Sequence, residues 1–155
     1  LRPSHNDYDW LGEGIYFWEH NALRAYEYSV ELASRPRNQS HQIRRPAVLG
    51  AVIDLGFCLN LLDSRYLKIV REAYDQLLAD STSAGMAMPE NTGGADLLSR
   101  RLDCAVLGML HQMRSENFAP PFDTVRAAFI EGTRLYDNAG FAEKNHIQIC
   151  VREIR

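Results

Sequence analysis

Three stretches of this chain carry side chains whose types and spacing could do chemistry. The first is Gly12-Glu13-Gly14-Ile15-Tyr16-Phe17-Trp18, in which two glycines lead into an aromatic run. Glycine permits positive φ and lets a ligand approach the backbone closely. Tyr16 then offers a ring face and one hydroxyl, although a buried hairpin strand would look the same. The second is His146-Ile147-Gln148, where period-two alternation puts His146 and Gln148 on one face of an otherwise apolar strand. Such a pair either hydrogen-bonds to a neighbouring loop or faces a ligand. The third is residues 34–46, where Arg35, Arg37, His41, Arg44 and Arg45 stand with no acid among them. That run reads as a solvated linker or as a contact for phosphate. The histidines and cysteines show no metal-ligand spacing, so no metal site is expected.

The elements that must position these groups follow from the patterning. With 155 residues, 46% of them apolar, the chain suits one globular domain, residues 1–155. A net charge of −3 supplies no global basic field for nucleic acid. No apolar run reaches the ~18 residues of a membrane span, and no signal peptide is visible. Cys58, Cys104 and Cys150 sit far apart in apolar segments, which reads as three reduced, buried thiols in a cytoplasmic protein.

Residues 1–11 read as a polar loop pinned near Tyr16 by Tyr8, Trp10 and Leu11. Asn21 is placed to cap a helix whose apolar residues are Leu23, Tyr26, Val30 and Ala33. Residues 47–55 form a nearly continuous apolar run that predicts a strand buried on both faces. A helix is expected over 64–79, capped by Asp63 or Ser64, and a second over about 95–114 with Leu98, Leu102, Ala105, Val106, Met109, Leu110 and Met113 as its stripe. Ser81 to Gly94 reads as a loop. His111 reads as structural. Strands are expected from Thr124 to Glu131 and from Asn145 to Ile154, with a loop over 132–144 between them.

Gly12–Phe17, the strand-like Ala47–Gly56 and Asn145–Val151 together resemble the poly(ADP-ribose) polymerase-like, diphtheria-toxin-type ADP-ribosyltransferases. The resemblance covers roughly residues 1–63 and, more loosely, 122–155. It implies an α+β fold, a split and mostly antiparallel β-sandwich of ADP-ribosyltransferase type. Residues 64–117 would be an inserted helical pair. It implies NAD as substrate, with Tyr16 stacked on nicotinamide and Gly14, Arg24 and Tyr28 also lining the NAD site. Arg24 stands where the family usually has a small hydroxyl residue, so it would bind the NAD phosphates or fill that part of the pocket.

In the resembled family the last strand bears a glutamate that accepts from the nicotinamide-ribose hydroxyl. Here either Gln148 or His146 takes that place, and single ADP-ribose transfer is then expected rather than chain formation. The acceptor would be a macromolecule, whether protein, RNA or DNA, and the setting that of a toxin or defence effector. The alternatives are an NAD glycohydrolase and a catalytically silent NAD- or ADP-ribose-binding module. The family's upstream His-Gly motif has no match in the eleven residues before Gly12, since His5 is followed by Asn6. The expectation is a first motif on a preceding segment or a separate chain, hence a domain truncated at its N-terminus.

Overall fold

The structure is a computed structural model, and it describes residues 2–35 and 43–153. Its elements run β1 (Ile15–Trp18), α1 (Ala22–Ser34), β2 (Cys58–Asn60), α2 (Ser64–Ala84), β3 (Asn91–Thr92), β4 (Ser99–Arg100), α3 (Arg101–Glu116), β5 (Thr124–Phe129) and β6 (His146–Val151). The fold is mixed α+β. One sheet holds four strands in the order β1-β6-β5-β2, and β3 and β4 form a separate two-stranded hairpin. β1/β6 and β5/β6 are antiparallel, whereas β2/β5 is parallel, so the main sheet is mixed.

Helix boundaries follow local chemistry. Asn21 caps α1, its side-chain oxygen accepting from the Arg24 amide at 3.0 Å. Asp63 caps α2 through the Arg65 amide. α2 ends at Gly85 in the left-handed conformation, φ 65°, with its amide donating back into the last turn. The helix therefore runs through Ala84 and takes in residues expected to be loop. α3 starts later than its apolar pattern suggested. Residues 95–98 form a turn into β4, and Leu98 is exposed rather than part of the stripe.

The core lies between one face of the main sheet and the helices. Ala73 of α2 and Val106, Leu107 and Leu110 of α3 pack in one cluster with Leu59, Val125, Ala127, Phe129 and Cys150 of the sheet. The helical pair 64–117 is thus no appendage, because the sheet's apolar face is buried against it. Among the described residues, helices cover that face, not a second large sheet.

Three further expectations are corrected. Residues 47–55 form no strand. They carry no sheet pairing among the described residues, and Leu49 and Val52 are exposed, Val52 completely. An apolar run specifies a strand only where a partner edge is available to pair with it. On α1 the outward residues are Leu23, Tyr26 and Val30, while Arg24 is buried. Of the cysteines only Cys150 is buried, with Cys58 and Cys104 half-buried, and all three are free thiols. In the basic linker Arg35, Arg44 and Arg45 are exposed, and Arg37 and His41 lie outside the described residues.

Candidate functional site

Strand register puts the side chains singled out in β1 and β6 on a single face. Tyr16 lies opposite Cys150, and Trp18 opposite Gln148. On the other side of β6, Val125, Ala127 and Phe129 of β5 lie opposite Cys150, Gln148 and His146. Residues paired across a sheet share a face. Tyr16, Trp18, Cys150, Gln148 and His146 therefore line one surface, apolar and covered near Cys150 and more polar toward His146.

At the polar end, His146 and Gln148 are one hydrogen-bonded unit. His146 Nδ1 lies 2.5 Å from the Lys144 carbonyl oxygen, and its Nε2 lies 3.0 Å from the Gln148 side-chain nitrogen. A carbonyl only accepts, so Nδ1 carries the proton. Nε2 then accepts from the Gln148 amide. Burial pushes the His146 pKa down, partly countered by its bond to Lys144, which agrees with a neutral ring. The bond also orients the Gln148 amide, leaving its oxygen without a hydrogen bond among the described residues.

Three aromatic rings surround this pair. Ring centroids lie 5.7 Å from His146 to Phe129, 6.3 Å to Trp18 and 6.4 Å to Trp10. Arg100 stacks over Trp10, its guanidinium carbon 4.3 Å from the ring centre. Trp18 also meets Tyr28 of α1 at 4.9 Å. The Trp18 indole N–H is buried without a hydrogen-bond partner among the described residues.

Tyr16 is tied into the loop before it. Its hydroxyl donates to the Gly12 carbonyl at 2.6 Å and accepts the Leu11 amide at 2.9 Å. Burial drives its pKa far upward, and its ring packs against the core cluster. The aromatic ring nearest Gln148 on β1 is therefore that of Trp18, two residues on. Gly14 meets the chain's own β6: a Cβ there would lie 2.5 Å from Cys150 Sγ and from the Val151 carbonyl oxygen. This close approach is between the chain's own strands.

Arg24 is buried and contacts two carboxylates, Glu31 at 3.3 Å and Glu131 at 3.2 Å. Its charge is balanced within the protein, and its guanidinium carbon lies 5.9 Å from the centre of the Tyr28 ring. Glu19 is likewise held by Arg126 at 2.6 Å.

No family model matches the sequence, and neither a curated protein nor a solved structure matches it. The site must be read from its own geometry. Sequence reasoning singled out Tyr16, His146 and Gln148 and saw Trp10 only as an anchor of the first loop, and it missed Trp18 and Glu131. Trp18 carried a signal, since it alternates with Tyr16. Trp10 and Glu131 sit in loops, where no periodicity marks orientation. Among the described residues no cluster of acidic, histidine or cysteine side chains could hold a metal ion, and no helix is long and apolar enough to cross a membrane.

Proposed function

We propose that this domain is an NAD-dependent mono-ADP-ribosyltransferase whose substrate-facing groups are Gln148 and Trp18, with His146 as the residue that positions Gln148. The observation that carries this reading is the oriented Gln148 amide on the same sheet face as Tyr16 and Trp18. The residues suit the nicotinamide end of NAD in three respects. Trp18 and Tyr28 supply aromatic surface, the unpartnered Trp18 N–H supplies a donor, and the Gln148 oxygen supplies an acceptor.

In the reaction, the bond from the ribose C1′ to nicotinamide breaks and nicotinamide leaves with the electron pair. A nucleophile on the acceptor attacks C1′ and loses its proton. The ribose passes through an oxocarbenium-like state. An acceptor fixed at the ribose hydroxyl stabilises that state more than it does ground-state NAD. Gln148 is neutral, so it lacks the charge-assisted bond of a carboxylate, a bond worth ~1.5–3 kcal/mol. That favours single transfer over chain formation. The 132–144 loop, with Leu135, Tyr136 and Phe141 exposed, is the natural surface for a macromolecular acceptor, whether protein, RNA or DNA.

A silent NAD- or ADP-ribose-binding module is the second reading. It is favoured by the state of Glu131, the glutamate beside His146, because Arg24 holds it. Nicotinamide release from NAD by the protein separates the two readings. Transfer of labelled ADP-ribose to a macromolecule separates a transferase from an NAD glycohydrolase. Binding of NAD without nicotinamide release would sink the enzyme reading.

A further inference from the structure

Helix α1 lies outside the packed core. Its single buried residue is Arg24. No α1 side chain belongs to the core cluster or to the partly buried apolar residues packed on it. Leu23, Tyr26 and Val30 are exposed. On its inner side, Ala25, Tyr28, Ser29 and Leu32 line a groove of about 850 Å³, bordered also by β1 and residues 47–53. A helix that borders a hollow gains little from apolar burial, the contribution that holds most helices in place.

Among the described residues, two ion pairs cross from α1 to the body of the protein. Arg24 reaches Glu131, just after β5, at 3.2 Å, and Glu31 reaches Lys144, two residues before β6, at 2.9 Å. Arg24 and Glu31 also meet each other, at 3.3 Å. Lys144, Glu31, Arg24 and Glu131 thus form one alternating chain of charges that sums to zero. Desolvation offsets much of the attraction in such a chain, so it fixes a position without adding much net stability. The strand before α1 is firmly anchored. The Glu19 amide donates to the Ile147 carbonyl at 3.0 Å, and the Glu19 carboxylate is held by Arg126 at 2.6 Å. His20 follows at φ 50°, between that anchor and the Asn21 cap. Hinges lie at such element-terminal residues, which take up the change in φ and ψ.

We infer that α1 is a movable wall of the groove, hinged at His20, and that the Lys144–Glu31–Arg24–Glu131 chain is the latch that holds it closed. Elements with few buried apolar contacts open at a free energy below that of global unfolding. Glu131 and Lys144 frame the 132–144 loop, so the latch also ties the setting of that loop to the position of α1. Opening separates Tyr28 from Trp18, which now lie 4.9 Å apart between ring centres. Under the proposed function this uncovers the aromatic wall of the NAD site. The opening itself does not rest on that reading.

Native-state amide exchange without NAD tests it, so a failure here leaves the transferase reading standing. A 13-residue helix is marginal in water without its tertiary contacts, so an opened α1 loses its amide protection. The amides from Tyr28 to Leu32 should exchange together, about 100-fold or more faster than those of the β5–β6 ladder. Glu131→Gln, which releases one end of the latch, should speed them about fivefold or more. Val106→Ala opens a cavity in a core that α1 does not join. It should speed the β5–β6 amides about tenfold or more and leave those of α1 as they were. Three results would overturn the inference: α1 amides as slow as those of β5–β6, α1 amides speeded by Val106→Ala as much as those strands, or α1 amides indifferent to Glu131→Gln.

Discussion

The Gln148 side-chain nitrogen lies 3.0 Å from His146 Nε2, and the proton on His146 Nδ1 is held by the Lys144 carbonyl. Two residues that sequence alone offers as rivals for one position are in fact partners. Gln148 presents the acceptor, and His146 fixes how that acceptor points.

Under the proposed chemistry, Gln148→Ala should lower the rate of nicotinamide release by about 10²-fold or more with a smaller effect on NAD binding. His146→Ala should lower it less, because Gln148 keeps its oxygen but loses its orientation. Gln148→Glu places a carboxylate against the Nε2 lone pair, so the His146 pKa should rise and be visible by NMR titration. Equal nicotinamide release from all three variants and the wild type would remove Gln148 from the reaction.

Tyr16→Phe should destabilise the protein by about 1–2 kcal/mol, because the Leu11 amide loses its acceptor. Denaturant midpoints check this. If Tyr16 also forms part of the nicotinamide wall, Tyr16→Ala should weaken NAD binding more than Tyr16→Phe does. Trp18→Ala should weaken it more than either. A Trp18→Ala variant that binds NAD normally moves the aromatic wall elsewhere.

Gly14→Ala should cost about 2–3 kcal/mol or more, since the new Cβ would overlap Cys150 Sγ and the Val151 carbonyl. Gly85→Ala is the comparison, a left-handed position with open space around it. It should cost only about 1 kcal/mol, the backbone strain alone. Equal melting losses for the two would show that β6 yields at Gly14.

Glu131→Gln should destabilise by less than the ~3–5 kcal/mol of a fully stranded buried charge. Glu31 remains to balance Arg24. Arg24→Met, which removes the charge and keeps bulk, should be tolerated better than Arg24→Ala. The opposite order in thermal unfolding would mean the charge itself holds α1 in place.

Stability should fall as pH drops from about 7 to 5. Burial, with Arg152 and Arg114 adding to it, pushes His111 down to about 4, and burial lowers His146 as well. Unfolded histidine titrates near ~6.5. Below that pH the unfolded chain takes up protons that the folded chain refuses, so their contribution is complete above ~6.5 and is lost as pH falls toward the folded values. His111→Gln should flatten the pH dependence of the urea midpoint. A slope unchanged by that substitution would shift the effect to other groups.

Local rules carried far in this chain. Asn21 marked a helix start because its oxygen satisfies an amide within its own turn, and Asp63 did the same. The alternation of Val125, Ala127 and Phe129 marked a strand face, and the alternation of His146 and Gln148 placed both on one side. These are interactions within a few residues, so the sequence determines them directly. What tertiary structure decided was the choice among partners. The apolar run 47–55 is the strongest strand signal in the sequence, yet it is unpaired, since pairing depends on an edge supplied from elsewhere in the chain. Leu23, Tyr26 and Val30 have helical spacing, but α1 turns Arg24 inward because Glu31 and Glu131 meet it there, Glu131 from 107 residues away. The hydrogen bond between His146 and Gln148 depends on the turn of the backbone at Lys144, and the aromatic enclosure depends on Trp10 arriving from a loop. Periodicity reports which face a side chain takes, whereas only the assembled fold determines what stands opposite it.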